Sequence, residues 1–98
     1  MTTDTQVLLA PVITRPEQGA TVPNKVKVEG TAHPNAIVTI AKAGHPDDLY
    51  LKLIPEQSGH WSGTFGVELS KGVHKIQARQ TLGNVDSPWS PPRAFKID

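Results

Sequence analysis

Apolar and polar positions alternate with period two over most of this chain. No stretch repeats apolar residues at i, i+3, i+4 and i+7 over a helical length. The pattern predicts seven strands. The first covers Val7–Thr14 with Pro11 inside it, so it belongs at a sheet edge or switches sheets, because proline has no N–H to give a ladder. A turn-rich connection follows, with a short extended piece at Thr21–Val22. The second strand is Lys25–Thr31, with Val26 and Val28 inward, and the third is Ala36–Lys42, with Val38 and Ile40 inward. After a turn at "AGHPDD" the fourth is Leu49–Ile54, with Leu49, Leu51 and Leu53 on one face and Tyr50 and Lys52 on the other. The fifth is His60–Val67, with Trp61, Gly63 and Phe65 on one side. In the sixth, Val73–Leu82, His74, Ile76 and Ala78 face in while Lys75, Gln77 and Arg79 face water. "GNVDSP" reads as a loop, and the seventh strand is Pro92–Ile97, with Phe95 and Ile97 inward.

Nine prolines and eight glycines break the chain at short intervals, which points to an all-β sandwich or barrel. The Lys-Val-Lys-Val-Glu run of the second strand suits a sheet with one buried and one wet face. Long central connections favour Greek-key crossings over a meander.

Ninety-eight residues make one domain, read as residues 7–98 after a linker at residues 1–6. A chain of this size buries roughly 60–65 % of its unfolded surface. The formal charge is +1 and no Lys/Arg cluster runs along the sequence, which argues against nucleic acid or an anionic membrane as the main partner. There is no cysteine, so disulfides and thiolate metal sites are excluded. No segment nears the ~20 apolar residues of a membrane span. "MTTDTQVLLAPVI" lacks the basic and apolar regions of a signal peptide. Either the protein stays inside the cell, or this is one domain of a longer exported chain.

The runs "APVITRPEQGATV", "KVKVEGTAHPNAIVTI", "GHWSGTF" and "LSKGVHKIQARQTLGNVDSPWS", in that order, resemble bacterial immunoglobulin-like domains, modules of surface and secreted proteins related to fibronectin type III. The resemblance covers nearly the whole chain. It implies a seven-stranded immunoglobulin-like sandwich with Greek-key topology and an extracellular or cell-surface setting. The implied role is a non-catalytic spacer or adhesion module, often in tandem repeats, with neighbouring domains as partners and a surface glycan or protein as a further one. Two positions depart from the pattern. Asn35 follows Pro34 where glycine is usual, and Asn tolerates the positive φ such a turn needs. His74 stands at the corner position that such domains often fill with tyrosine, whose hydroxyl bonds back to backbone a few residues upstream.

Candidate chemistry is sparse. His33, His45, His60 and His74 show no i, i+2 or i, i+4 pairing for a metal, and Asp47, Asp48 and Asp86 are too scattered for a calcium loop. No serine lies in a Gly-x-Ser-x-Gly elbow, and the glutamates fall in separate turns or outward positions. The expectation is therefore no catalytic residue, no metal and no cofactor. Small β-sandwiches also bind glycans through exposed aromatic rings, so Trp89 in "SPWSPP" and outward Tyr50 are the candidate ligand platforms of the alternative, carbohydrate-binding reading. Trp61, Phe65 and Ile76 are expected in the core, and His74 at the corner.

Overall fold

A computed structural model describes residues 8–98, so the expected linker at residues 1–6 lies outside the described residues. The described chain is all-β, without helix. Nine strands form: β1 (Val12–Arg15), β2 (Ala20–Val22), β3 (Lys27–Thr31), β4 (Ile37–Lys42), β5 (His45–Leu53), β6 (His60–Thr64), β7 (Gly72–Leu82), β8 (Val85–Asp86) and β9 (Arg93–Ile97). They build a three-stranded sheet ordered β1-β3-β6 and a larger one ordered β2-β9-β7-β4-β5, with β8 added to β7.

The two sheets share one core in a sandwich-like arrangement. Ile13, Val26, Val28, Trp61 and Phe65 meet Val38, Ile40, Ile76, Ala78, Phe95 and Ile97. The period-two alternation is the cause, since each of these strands puts every second side chain on the inner face. Trp61 and Phe65 are among the largest fully buried side chains, and Ile76 is fully buried.

Trp61 lies directly opposite Gly30 across the β3–β6 ladder. A Cβ on Gly30 would stand 2.0 Å from the Val12 carbonyl oxygen and 2.3 Å from the indole, so only glycine admits the ring. The indole N–H is buried with no hydrogen-bond partner among the described residues. The ring therefore stabilises the fold through apolar burial and fit.

Four expectations are corrected. Among the described residues there are nine strands rather than seven, because short β2 pairs with β9 and short β8 with β7. Pro11 precedes the ladder instead of interrupting it; β1 is an edge strand and begins at Val12. The turn at "AGHPDD" is confined to Ala43–Gly44, with Gly44 at φ +79°, and β5 already starts at His45. The "GNVDSP" loop contains a hairpin, in which Leu82 pairs with Val85 around Gly83–Asn84 and Gly83 takes φ +60°. Two-residue Gly-Asn connections are a recognised hairpin signal.

The path of the chain follows from the pairings. Call the end of the sandwich that holds Thr31, Ile37 and Leu82 the upper pole. β1 starts there, with Val12 opposite Thr31, and β9 ends at the lower pole, with Ile97 opposite Gly72. β1 and β2 both run downward and split one pass between the two sheets. β1 pairs with β3, and β2 then pairs in parallel with β9, Ala20 beside Phe95 and Val22 beside Ile97.

Candidate functional site

β5 shows why Tyr50 is not where simple alternation puts it. Ile40 pairs with Leu51 and Ala41 pairs with Leu49, so Tyr50 is the extra residue of a bulge. The bulge turns Tyr50 in towards the core, where its ring stacks on Phe65 at 4.7 Å between centroids and 18° between planes. It also separates Leu49 from the other leucines. Leu51 and Leu53 pack against the core, while Leu49 faces outward beside Ala41 and is 52 % exposed. The expected outward platform at Tyr50 is thus corrected. Its phenol is pushed above the usual value, first by burial and then by the negative charge of Asp48.

Trp89 is placed by a strap of serines and prolines. Residues 87–92 continue the line of β9 alongside β7, but Pro88, Pro91 and Pro92 have no N–H for a regular ladder. Two serines substitute. Ser87 N–H donates to the Gln80 carbonyl, and Ser87 Oγ accepts from Gln80 N–H at 2.9 Å. Ser90 repeats the arrangement at Ala78, N–H to carbonyl at 2.7 Å and Oγ from N–H at 2.9 Å. Each hydroxyl then donates to the carbonyl of the proline that follows it. Both serines are buried, and the repeated Ser-Pro step is the sequence signal for them.

Held between these serines, half-buried Trp89 lies on the outer face of the larger sheet. The Arg79 guanidinium sits over its ring at 4.7 Å from the centroid, a cation–π contact. One face of the ring is therefore covered. Arg79 Nε is buried without a hydrogen-bond partner among the described residues. Gln77, expected to face water, is 9 % exposed because β4 and the strap flank it. Thr39 on the same face is 5 % exposed.

His74 is half-buried, with its ring stacked on Phe95. Its Nε2 lies 2.7 Å from the Ser70 carbonyl oxygen, four residues upstream. A carbonyl can only accept, so Nε2 carries the proton. The imidazole thus ties the start of β7 to the backbone that leads into it.

The outer face of the smaller sheet is different in kind. Arg15 approaches Glu29 at 3.8 Å, and His60 lies between Glu29 at 3.4 Å and Glu56 at 3.9 Å. The two carboxylates approach opposite ring nitrogens of His60, so they cannot join it around one ion. Among the described residues no group of three His, Cys, Asp or Glu side chains could hold a metal ion. A shallow groove of about 420 Å³ runs between β1 and the strap, past Pro11, Ile13, Gln18, Pro91 and Pro92. Its one ionisable lining group, Arg93, donates to the Pro16 carbonyl. No described helix is long and apolar enough to cross a membrane.

On the outer face of the larger sheet the arrangement brings together an aromatic ring covered on one side, a guanidinium group and polar side chains. No protein-family model and no curated protein sequence matches the chain.

Proposed function

We propose that this chain is a non-catalytic immunoglobulin-like module of an exported or surface protein, serving as a structural spacer and interaction unit. The strand orders β1-β3-β6 and β9-β7-β4-β5 support an immunoglobulin or fibronectin type III arrangement with Greek-key crossings. The fold hosts many roles, so the functional reading rests on the chain path.

That path is the single observation that carries it. The chain enters at the upper pole and leaves at the lower one, the layout a bead on a string needs. Pulling on the two ends draws β2 upward and β9 downward. These strands are parallel neighbours with three register pairs, Ala20–Phe95, Thr21–Lys96 and Val22–Ile97. Tension along the module therefore loads the pairs together, in shear.

Single-molecule pulling in two geometries tests this. Handles at the two chain ends shear β2 against β9. Handles at Asn24→Cys and the C-terminus, both at the lower pole, peel the same pair apart one rung at a time. The end-to-end geometry is expected to give the higher unfolding force. Equal forces, or a weaker end-to-end response, would remove the basis for a load-bearing spacer.

A further inference from the structure

The fold assembles a row of cations that the linear sequence does not display. Lys52 lies on β5 between inward Leu51 and Leu53, Lys75 and Arg79 lie on β7, and Lys96 lies on β9 between buried Phe95 and Ile97. Alternation sends all four side chains to the outer face of the larger sheet. Lys52 and Arg79 flank Thr39 in one cross-strand row. Lys75 is four residues below Arg79 on the same strand, and Lys96 is opposite Val73 at the next step down. The nearest acids stand at the rims: Asp47 and Asp48 in the irregular start of edge strand β5, Asp86 on short β8, bonded to Thr81, and exposed Asp98, two residues beyond Lys96 at the lower pole. Among the described residues none of the four cations has a carboxylate within ion-pair distance. Ion pairs of the described residues involve Arg15, His60, Glu29 and Glu56, on and beside the other sheet.

Between the cations lie polar groups that are held but not used. Gln77 and Thr39 are more than nine-tenths buried, and neither side chain hydrogen-bonds another described residue. Their polar atoms keep some exposure, on the outer side to which alternation sends them. Arg79 is already immobilised on Trp89, which lowers the entropy lost when its fork engages an anion. Cations without acids, fixed hydrogen-bonding groups and an aromatic flank together describe a surface complementary to a sparse anion rich in hydroxyls.

We propose that the outer face of the larger sheet docks a carboxylated polysaccharide, with Lys52, Lys75, Arg79 and Lys96 meeting its carboxylates and Gln77 and Thr39 its hydroxyls. The charge spacing selects this class. Lys52 and Arg79 are two strand spacings apart, roughly 10 Å, and Lys75 and Arg79 roughly 13 Å. Nucleic acid presents a charge every ~3.4 Å along each strand and would leave most of its phosphates unmatched. In a two-fold uronate ribbon the carboxylates on one side are two sugar rings apart, which approaches the wider grid, and the hydroxyls between them match the polar groups between the cations. This assignment deepens the reading of the chain as an interaction unit. It is independent of the shear geometry, so the pulling experiment and the one below can fail separately.

The test is affinity electrophoresis of the folded protein at low ionic strength, in gels carrying polygalacturonate, with neutral dextran as the blank. Poly-L-glutamate and a single-stranded oligodeoxynucleotide serve as competitors. Polygalacturonate is expected to retard the protein, and added salt to release it. Lys52→Gln with Lys75→Gln should weaken retardation roughly thirty-fold, on the scale of two cations lost from an anionic contact. Arg15→Gln with Lys27→Gln removes the same charge from the opposite face and should change little. Circular dichroism confirms that both variants are folded. No retardation by polygalacturonate would overturn the proposal. So would equal losses from the two double variants, which would mean bulk charge alone. Competition by polyglutamate or DNA as strong as by polygalacturonate would assign the face to a different polymer.

Discussion

The two outward faces of this small sandwich use their charges in opposite ways. On the three-stranded sheet Glu29 is shared by Arg15 and His60, with Glu56 on the far side of the imidazole. On the larger sheet the outer face carries Lys52, Lys75, Arg79 and Lys96 with acids only at its rims, Arg79 leans on Trp89, and Gln77 and Thr39 lack side-chain partners among the described residues. One face pairs its own charges; on the other, among the described residues, the cations have no carboxylate within ion-pair distance. The two sheets are also held together differently. The small sheet is locked by a ring fitted over a glycine, and the large one by a serine strap replacing a ladder that proline forbids. A residue's type says little about which of these roles it has. Its strand's position in the sheet decides.

The largest predicted effect breaks the inner lock. Gly30→Ala places a methyl on the Val12 carbonyl and the Trp61 indole. Neither can retreat without moving β1 or the core, so the cost should be roughly 3 kcal/mol or more, at the upper end for overpacking. Trp61→Ala should cost roughly 3–5 kcal/mol through the cavity it leaves. Denaturant unfolding of both variants checks this, and near-native midpoints would mean that the ring does not hold the small sheet.

Next comes the strap. Ser87→Ala or Ser90→Ala leaves the Gln80 or Ala78 N–H without its hydroxyl partner inside the protein. Each should cost about 1–3 kcal/mol, and amide exchange should quicken at residues 78 and 80. A loss of protection confined to residues 85–92 would show that the serines only shape their own segment.

Smaller effects sharpen the contrast between the faces. Arg15→Gln should change stability by about 0–1 kcal/mol, as exposed ion pairs do. The pH dependence of Tyr50 has a definite sign. Its phenol titrates higher folded than unfolded, so the folded state holds the proton more tightly. That stability is fully present below the unfolded value near 10 and is lost as pH rises through the folded one. Tyr50→Phe should flatten the unfolding midpoint against pH above ~10. An unchanged slope would mean that other groups carry it.

Much of the fold was legible in the sequence. Strict alternation fixed the inward set Val38, Ile40, Trp61, Phe65, Phe95 and Ile97, because those strands are regular. Alternation fails where register slips, and the bulge at Tyr50 moved both Tyr50 and Leu49 to faces a period of two cannot give them. The Gly83–Asn84 hairpin had its signal in the dipeptide and was hidden by the loop-like residues around it. The strap was hidden because prolines disguise a strand continuation as a loop. The cation row was beyond reach for another reason. Lys52, Arg79 and Lys96 come from three strands, and a sequence does not say which strands become neighbours or which faces they share.

The central claim is that the two outer faces differ in what they are free to bind. Amide and indole chemical shifts recorded while polygalacturonate is added test it most directly. Shifts should concentrate at Thr39, Lys52, Lys75, Gln77, Arg79, Lys96 and the Trp89 indole, with Glu29, His60 and Ser62 unmoved. Shifts spread evenly over both faces, or gathered on the three-stranded sheet, would contradict it.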